Sequence, residues 1–157
     1  MVIYKAVEPS PKAVIPYTSL PSRMSTKHYT RIVLSERPVA DITPTTFHIE
    51  NITFDLHPGQ SEVLVQVNWL SLDPGMRDWL KDTRSYMPPV QIGEVMRSAG
   101  LATVIEAGEG CRLQPGDVIS CLPGKWPSVQ YPWRALYLET GWTEYAILKE
   151  EATQKLE

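Results

Sequence analysis

"SAGLATVIEAGEGCRLQPGDVISCL" spans residues 98–122, and its two halves read as strands joined by a tight connection. Gly108 and Gly110 permit positive φ, and Pro115-Gly116-Asp117 supplies a turn that sends the second strand back antiparallel to the first. A glycine pair opening a helix would suggest a phosphate cradle, but "GEG" (108–110) lacks a third glycine and runs on to another strand. The stretch therefore marks a β fold rather than a nucleotide site.

The same pattern extends outward in both directions. "TRIVL" (30–34), "TFHIENITFDL" (46–56), "EVLVQVNWLSL" (62–72) and "WTEYAIL" (142–148) are rich in β-branched and aromatic residues, and several alternate apolar with polar positions. A second Pro-Gly turn, "HPGQSE" (57–62), separates two of them. The one clear helix start is "LDPGMRDWL" (72–80), where Asp73 can cap exposed amides and Pro74 enters with its φ already set. Gly75 leaves the backbone there uncovered by a side chain. The expected architecture is mainly β, a sandwich or partly open barrel with a few short helices.

Two segments fit no strand pattern. Residues 1–29 scatter Pro9, Pro11, Pro16 and Pro21 and read as a flexible or surface-hugging N-terminal tail ahead of a domain at 30–157. Residues 121–142, "CLPGKWPSVQYPWRALYLETGW", read as a long loop packed on its own aromatic rings.

Composition narrows the function classes. Hydrophobic residues form 43% and charged residues 21% of the 157, with a net charge of −3 and no long run of either sign. Nothing here draws the protein to nucleic acid or to an anionic membrane. No apolar stretch approaches the roughly 20 residues of a membrane-spanning helix, and no secretory signal is evident, so a cytoplasmic location is expected. Cys111 and Cys121 are too few for a disulfide framework and match no zinc spacing; both read as ordinary, partly buried thiols.

Ala99-Gly100, Val104, Glu106, Gly108, Gly110 and Pro115-Gly116-Asp117 together resemble the strand-turn-strand of the medium-chain dehydrogenase/reductase superfamily. "RIVLSERPV" (31–39), "EVLVQVNWLSLDPGMR" (62–77), "SYMPPVQIGEVM" (85–96) and "GWTEYAIL" (141–148) narrow the resemblance to its zinc-independent, NADP-dependent alkenal double-bond reductases, the prostaglandin and leukotriene reductases. The match covers residues 30–157 and implies a GroES-like partly open barrel. The family's Rossmann cofactor domain has no counterpart in these 157 residues, so the resemblance implies the N-terminal catalytic half of a two-domain enzyme, inactive by itself.

The metal can be followed residue by residue. Zinc-dependent relatives carry "GHE" just before the Ala-Gly pair, whereas this chain has Val95-Met96-Arg97. A thioether is a poor zinc ligand and a guanidinium is none. The cysteine expected after the third strand is missing from "SLDPGMRD", and His28, His48 and His57 are scattered, so no zinc is expected. What remains is hydride transfer from NADPH to the β-carbon of an α,β-unsaturated aldehyde or ketone. Hydrogen-bond donors then stabilise the enolate oxygen.

By resemblance, Tyr86 is the catalytic donor, and Asp73, Pro74, Gly75, Met76, Arg77 and Met96 flank the cleft for substrate and nicotinamide. Packing offers plainer roles: a cap for Asp73, an ion pair for Arg77, pocket or core lining for Met76, and loop packing for Tyr86 against Pro88 and Pro89. Gly75 replaces the family's usual tyrosine and widens the cleft or leaves its wall to another ring. The long segment 123–140 is a second departure, and its Trp126, Tyr131 and Trp133 are candidates for a lid or for an insertion packed outside the barrel.

The partner implied is a small-molecule enone or alkenal, with a homodimer formed through the cofactor domain. Two alternatives stand beside this reading: a quinone reductase of a related zinc-free branch, and a non-catalytic GroES-like binding module.

Overall fold

The computed structural model describes residues 2–5, 28–83, 88–121 and 141–156. Among these run the strands β1 (Val2–Lys5), β2 (His28–Leu34), β3 (Phe47–Thr53), β4 (Glu62–Leu72), β5 (Gly100–Ala107), β6 (Val118–Cys121), β7 (Tyr145–Lys149) and β8 (Thr153–Lys155). Two 3-10 helices, Pro74–Leu80 and Glu150–Ala152, interrupt them. All the pairings are antiparallel, in a six-stranded sheet and a separate β2–β3 pair. The sheets do not close, and the fold is mainly β, as the strand pattern requires.

β4 is the spine. One edge pairs with β5 from Val63 to Leu70, while the other takes β7 over Glu62–Gln66 and then β1 over Trp69–Leu72. Its alternation explains the arrangement: Val63, Val65 and Val67 enter one core with Ala102, Val104, Ile119 and Leu148. Leu64 turns the other way and packs with Tyr29 and Tyr145. Burying each such aliphatic side chain stabilises the fold by roughly 1.5–3 kcal/mol before entropy is counted. Register shifts at Leu64/Val65 and Val67/Trp69 bend β4 so that one strand serves two layers.

The expected tail differs from the structure at its outset. Val2–Lys5 adds a short strand to β4, with Val2 opposite Leu72 and Lys5 opposite Trp69, since these residues precede the first proline and retain every backbone donor. β2 likewise begins at His28, two residues before the expected strand.

The turns use glycine in two distinct ways. Gly110 and Gly116 take φ of 82° and 95°, the left-handed conformation their turns need. Gly108 is required for space, because a Cβ there would lie 1.8 Å from the Gly59 carbonyl oxygen. In the turn before β4 the positive φ falls on Ser61, at 57°, rather than on Gly59. Among the described residues, no helix is long and apolar enough to cross a membrane.

Candidate functional site

β4 runs into the 3-10 helix Pro74–Leu80 through Asp73, whose Oδ1 accepts the Gly75 N–H at 2.7 Å. The Asp73 N–H points at the Met76 sulfur at 3.2 Å, and Met76 N–H returns to the Asp73 carbonyl at 3.0 Å. Asp73 is therefore a cap, satisfying an amide that the helix start would leave orphaned. The helix is a 3-10 helix of seven residues rather than an α-helix, and it ends at Lys81.

This turn buries Met76 and Leu80 in an apolar core cluster shared with Leu34, Val90 and Met96. Phe47 and Trp142 close one side, their rings 4.9 Å apart. Trp142 Nε1 is buried there with no hydrogen-bond partner among the described residues. Met76 and Met96, separated by twenty positions of sequence, thus meet in one cluster. Their thioethers make the packing there polarizable and adaptable.

Arg77, on the same helix, points elsewhere. Its Nη2 donates to the Ala40 carbonyl and lies 3.3 Å from Asp41 Oδ1, with 47% of the side chain exposed. With Arg37 Nη1 donating to the Leu80 carbonyl at 2.8 Å, it staples the β2–β3 connection to the helix. The ion-pair role for Arg77 is the one its contacts match. Pro74 and Gly75 lie at the mouth of the turn, Pro74 exposed and Gly75 half-buried.

Sequence reasoning used Arg97 only to argue against zinc and missed what it does. Its side chain is buried, 6% exposed, with Nη1 donating to the Pro88 carbonyl at 2.6 Å and Nη2 facing the Pro89 carbonyl at 3.4 Å and Glu94 Oε2 at 3.5 Å. Glu94 Oε2 also accepts the Gln91 N–H at 2.8 Å. The buried guanidinium thus helps to satisfy the carbonyls of a proline pair that itself brings no N–H, with Gln91 Nε2 also donating to the Pro89 carbonyl at 2.9 Å. The only hint in the sequence is the three-residue spacing of Glu94 and Arg97.

Tyr86, Trp126, Tyr131 and Trp133 lie outside the described residues. Among the described residues, no three His, Cys, Asp or Glu side chains gather to hold a metal. The Gly108–Gly110 turn packs on the backbone of Gly59 and Glu62 and leads to β6 rather than to a helix N-terminus that could receive a pyrophosphate.

The comparisons with known proteins agree with this architecture. Residues 30–130 match the family described as the N-terminal domain of oxidoreductase. The NADPH-dependent curcumin reductase of Escherichia coli strain K12 is 40% identical over 77 residues, 49% of this chain and 22% of that protein. The crystal structure of CurA from Vibrio vulnificus superposes with a TM-score of 0.63 at 30% identity, covering 82% of this chain and 31% of that one. The same protein in complex with NADPH gives 0.62 at 29%, covering 80% and 32%. The chain spans about a third or less of the length of these relatives. With its unclosed antiparallel sheets and its strand-to-helix turn in place, the chain belongs to the N-terminal domain of oxidoreductase family, of the medium-chain dehydrogenase/reductase type.

Proposed function

We propose that this domain is the substrate side of an NADP-dependent reductase that saturates the C=C bond of α,β-unsaturated aldehydes or ketones without zinc. The observation that carries the reading is the 40% identity over 77 residues with an NADPH-dependent curcumin reductase. NADPH, when bound, supplies the hydride.

The residues of this chain have the remaining tasks. The buried cluster of Leu34, Met76, Val90 and Met96 anchors the strand-to-helix turn from beneath, so that the turn keeps its place beside the substrate. As hydride reaches the β-carbon, the π electrons move toward the carbonyl oxygen, and a hydroxyl aimed at that oxygen stabilises the enolate. Tyr86 is the donor we assign to that oxygen, and solvent then protonates the α-carbon. Asp73 and Arg77 hold the strand-to-helix turn and its loop in place. Trp126, Tyr131 and Trp133 are proposed to cover the substrate.

The test is NADPH oxidation, followed by nicotinamide absorbance, by the polypeptide as its gene encodes it, with a simple alkenal, an enone and a quinone. Turnover of enones that falls on the order of 100-fold in Tyr86→Phe supports the reading. Turnover of quinones alone would move the protein to the zinc-free quinone-reducing branch.

A further inference from the structure

Among the described residues, β3 pairs with β2 along one edge and with nothing along the other. The direction of its free groups follows from β2. Ile32 and Leu34 donate to the Trp142 and Glu94 carbonyls, and the Thr30, Ile32 and Leu34 carbonyls accept from Glu144, Met96 and Gly93, all on the side away from β3. Arg31 and Val33 are therefore the residues that exchange bonds with β3, opposite Glu50 and His48. By alternation the N–H and C=O groups of Phe47, Ile49 and Asn51 point outward, where no backbone group meets them among the described residues.

Natural proteins blunt an open edge of this kind with proline, lysine or a bulge. "FHIENIT" holds neither residue, its register with β2 runs without a shift, and Ile49 is 62% exposed. The strand is also held firm from behind. Phe47 lies against Trp142, Ile52 packs with the Tyr29 cluster, and Arg31 Nε reaches Glu50 Oε2 at 2.7 Å. A rigid, unprotected edge loses little freedom when another strand joins it.

We propose that this edge takes the same edge of a second copy of the chain, antiparallel, about a twofold axis through Ile49. In that register each Ile49 exchanges both backbone bonds with Ile49 of the second copy, and Phe47 lies opposite Asn51 on either side. His48 stands opposite Glu50 of the second copy at both symmetric positions, an imidazole against a carboxylate whose Oε1 has no bond among the described residues. Moving the axis by one residue, to His48 or to Glu50, would set like groups face to face and aim the wrong backbone groups outward. Moving it to Asn51 would place Glu50 against Ile52. Charge complementarity thus selects both the occupant and the register.

Sedimentation equilibrium of the polypeptide as its gene encodes it, across a range of concentrations, tests this with the parent, Ile49→Pro, His48→Glu and His48→Lys. Ile49→Pro removes an outward N–H and leaves the bonds to β2 whole, so the dissociation constant of this association should rise on the order of 10-fold or more. His48→Glu, which opposes two carboxylates, should raise it by about 10-fold, while His48→Lys should leave it equal or lower. A parent whose mass matches that of Ile49→Pro at every concentration would overturn the proposal, whether the edge stays bare or is covered by another part of the same polypeptide. Equal effects of His48→Glu and His48→Lys would overturn it as well, because the register would then be wrong. Should Ile49→Pro not fold, Ile49→Lys, which brings two ammonium groups together at the axis, must weaken the association in its place. Pairing of copies through any other surface would be indifferent to these changes.

Discussion

Glu62 and Lys149 stand opposite each other where β4 begins and β7 ends, and their side chains meet at 2.7 Å. The Lys149 hydrogen bond, followed by one from the Gly59 N–H, holds the Glu62 carboxyl below its ordinary value of 4.5. A carboxylate depressed on folding contributes stability that is complete above its unfolded pKa and is lost as pH falls through the folded one. Glu62→Gln should therefore cost about 0.5 kcal/mol at neutral pH, given the partial exposure of both partners. It should also flatten the acid limb of a stability-against-pH curve below pH 4.5. Chemical denaturation across that range reads it, and an unchanged acid limb would count against the pair.

Gly108 and Gly141 separate room from conformation. An added Cβ at Gly141 would sit 2.3 Å from the Met96 carbonyl oxygen, and at Gly108 still closer to Gly59, so both meet backbone that cannot swing aside. Gly93 has φ of 85° with nothing within 4 Å of its would-be Cβ. Thermal unfolding should rank Gly108→Ala and Gly141→Ala as the severe changes, about 2–3 kcal/mol or more. Gly93→Ala should cost only about 1–2 kcal/mol of backbone strain.

Asp73 offers a clean distinction between cap and base. Asp73→Asn keeps a side-chain acceptor for the Gly75 N–H and should retain both stability and turnover. Asp73→Ala should lose about 1 kcal/mol of stability through the orphaned amide. A collapse of kcat in Asp73→Asn with unchanged stability would make Asp73 a catalytic group instead.

The two thiols should be poor nucleophiles. Burial pushes the Cys121 thiol up to about 12, and desolvation, aided by nearby Glu150 and Glu62, raises Cys111 as well. Cys111 also directs its sulfur to the Glu62 carbonyl at 3.2 Å. Since the thiolate is the reactive form, alkylation near neutral pH should leave Cys121 untouched in the native protein and modify Cys111 only slowly. Peptide mapping after iodoacetamide treatment reads both sites, and rapid labelling of Cys121 would show that its core opens readily.

The strands were legible because alternation is local. Val63, Val65 and Val67 announce one buried face of β4 whatever lies against them, and "QPGD" announces its turn, since Gly116 alone there can take φ of 95° without cost. The cap at Asp73 was legible for the same reason, as its partner Gly75 is two residues away. What a side chain does across space was not. Arg77 reads as a cleft residue by its motif yet bonds to Ala40 and Asp41, some 36 positions earlier, and Arg97 reads only as a residue that binds no zinc yet bonds to two proline carbonyls.

The sequence by itself determined the antiparallel β framework and the family, because periodicity, turn chemistry and motif spacing are properties of neighbouring residues. The tertiary structure decided which charged groups became struts, that Val2–Lys5 joins the sheet, and that Met76 and Met96 share one buried cluster. Those outcomes depend on burial and on distances between segments far apart in the chain, and a guanidinium long enough to reach any of several acceptors takes its partner from the fold.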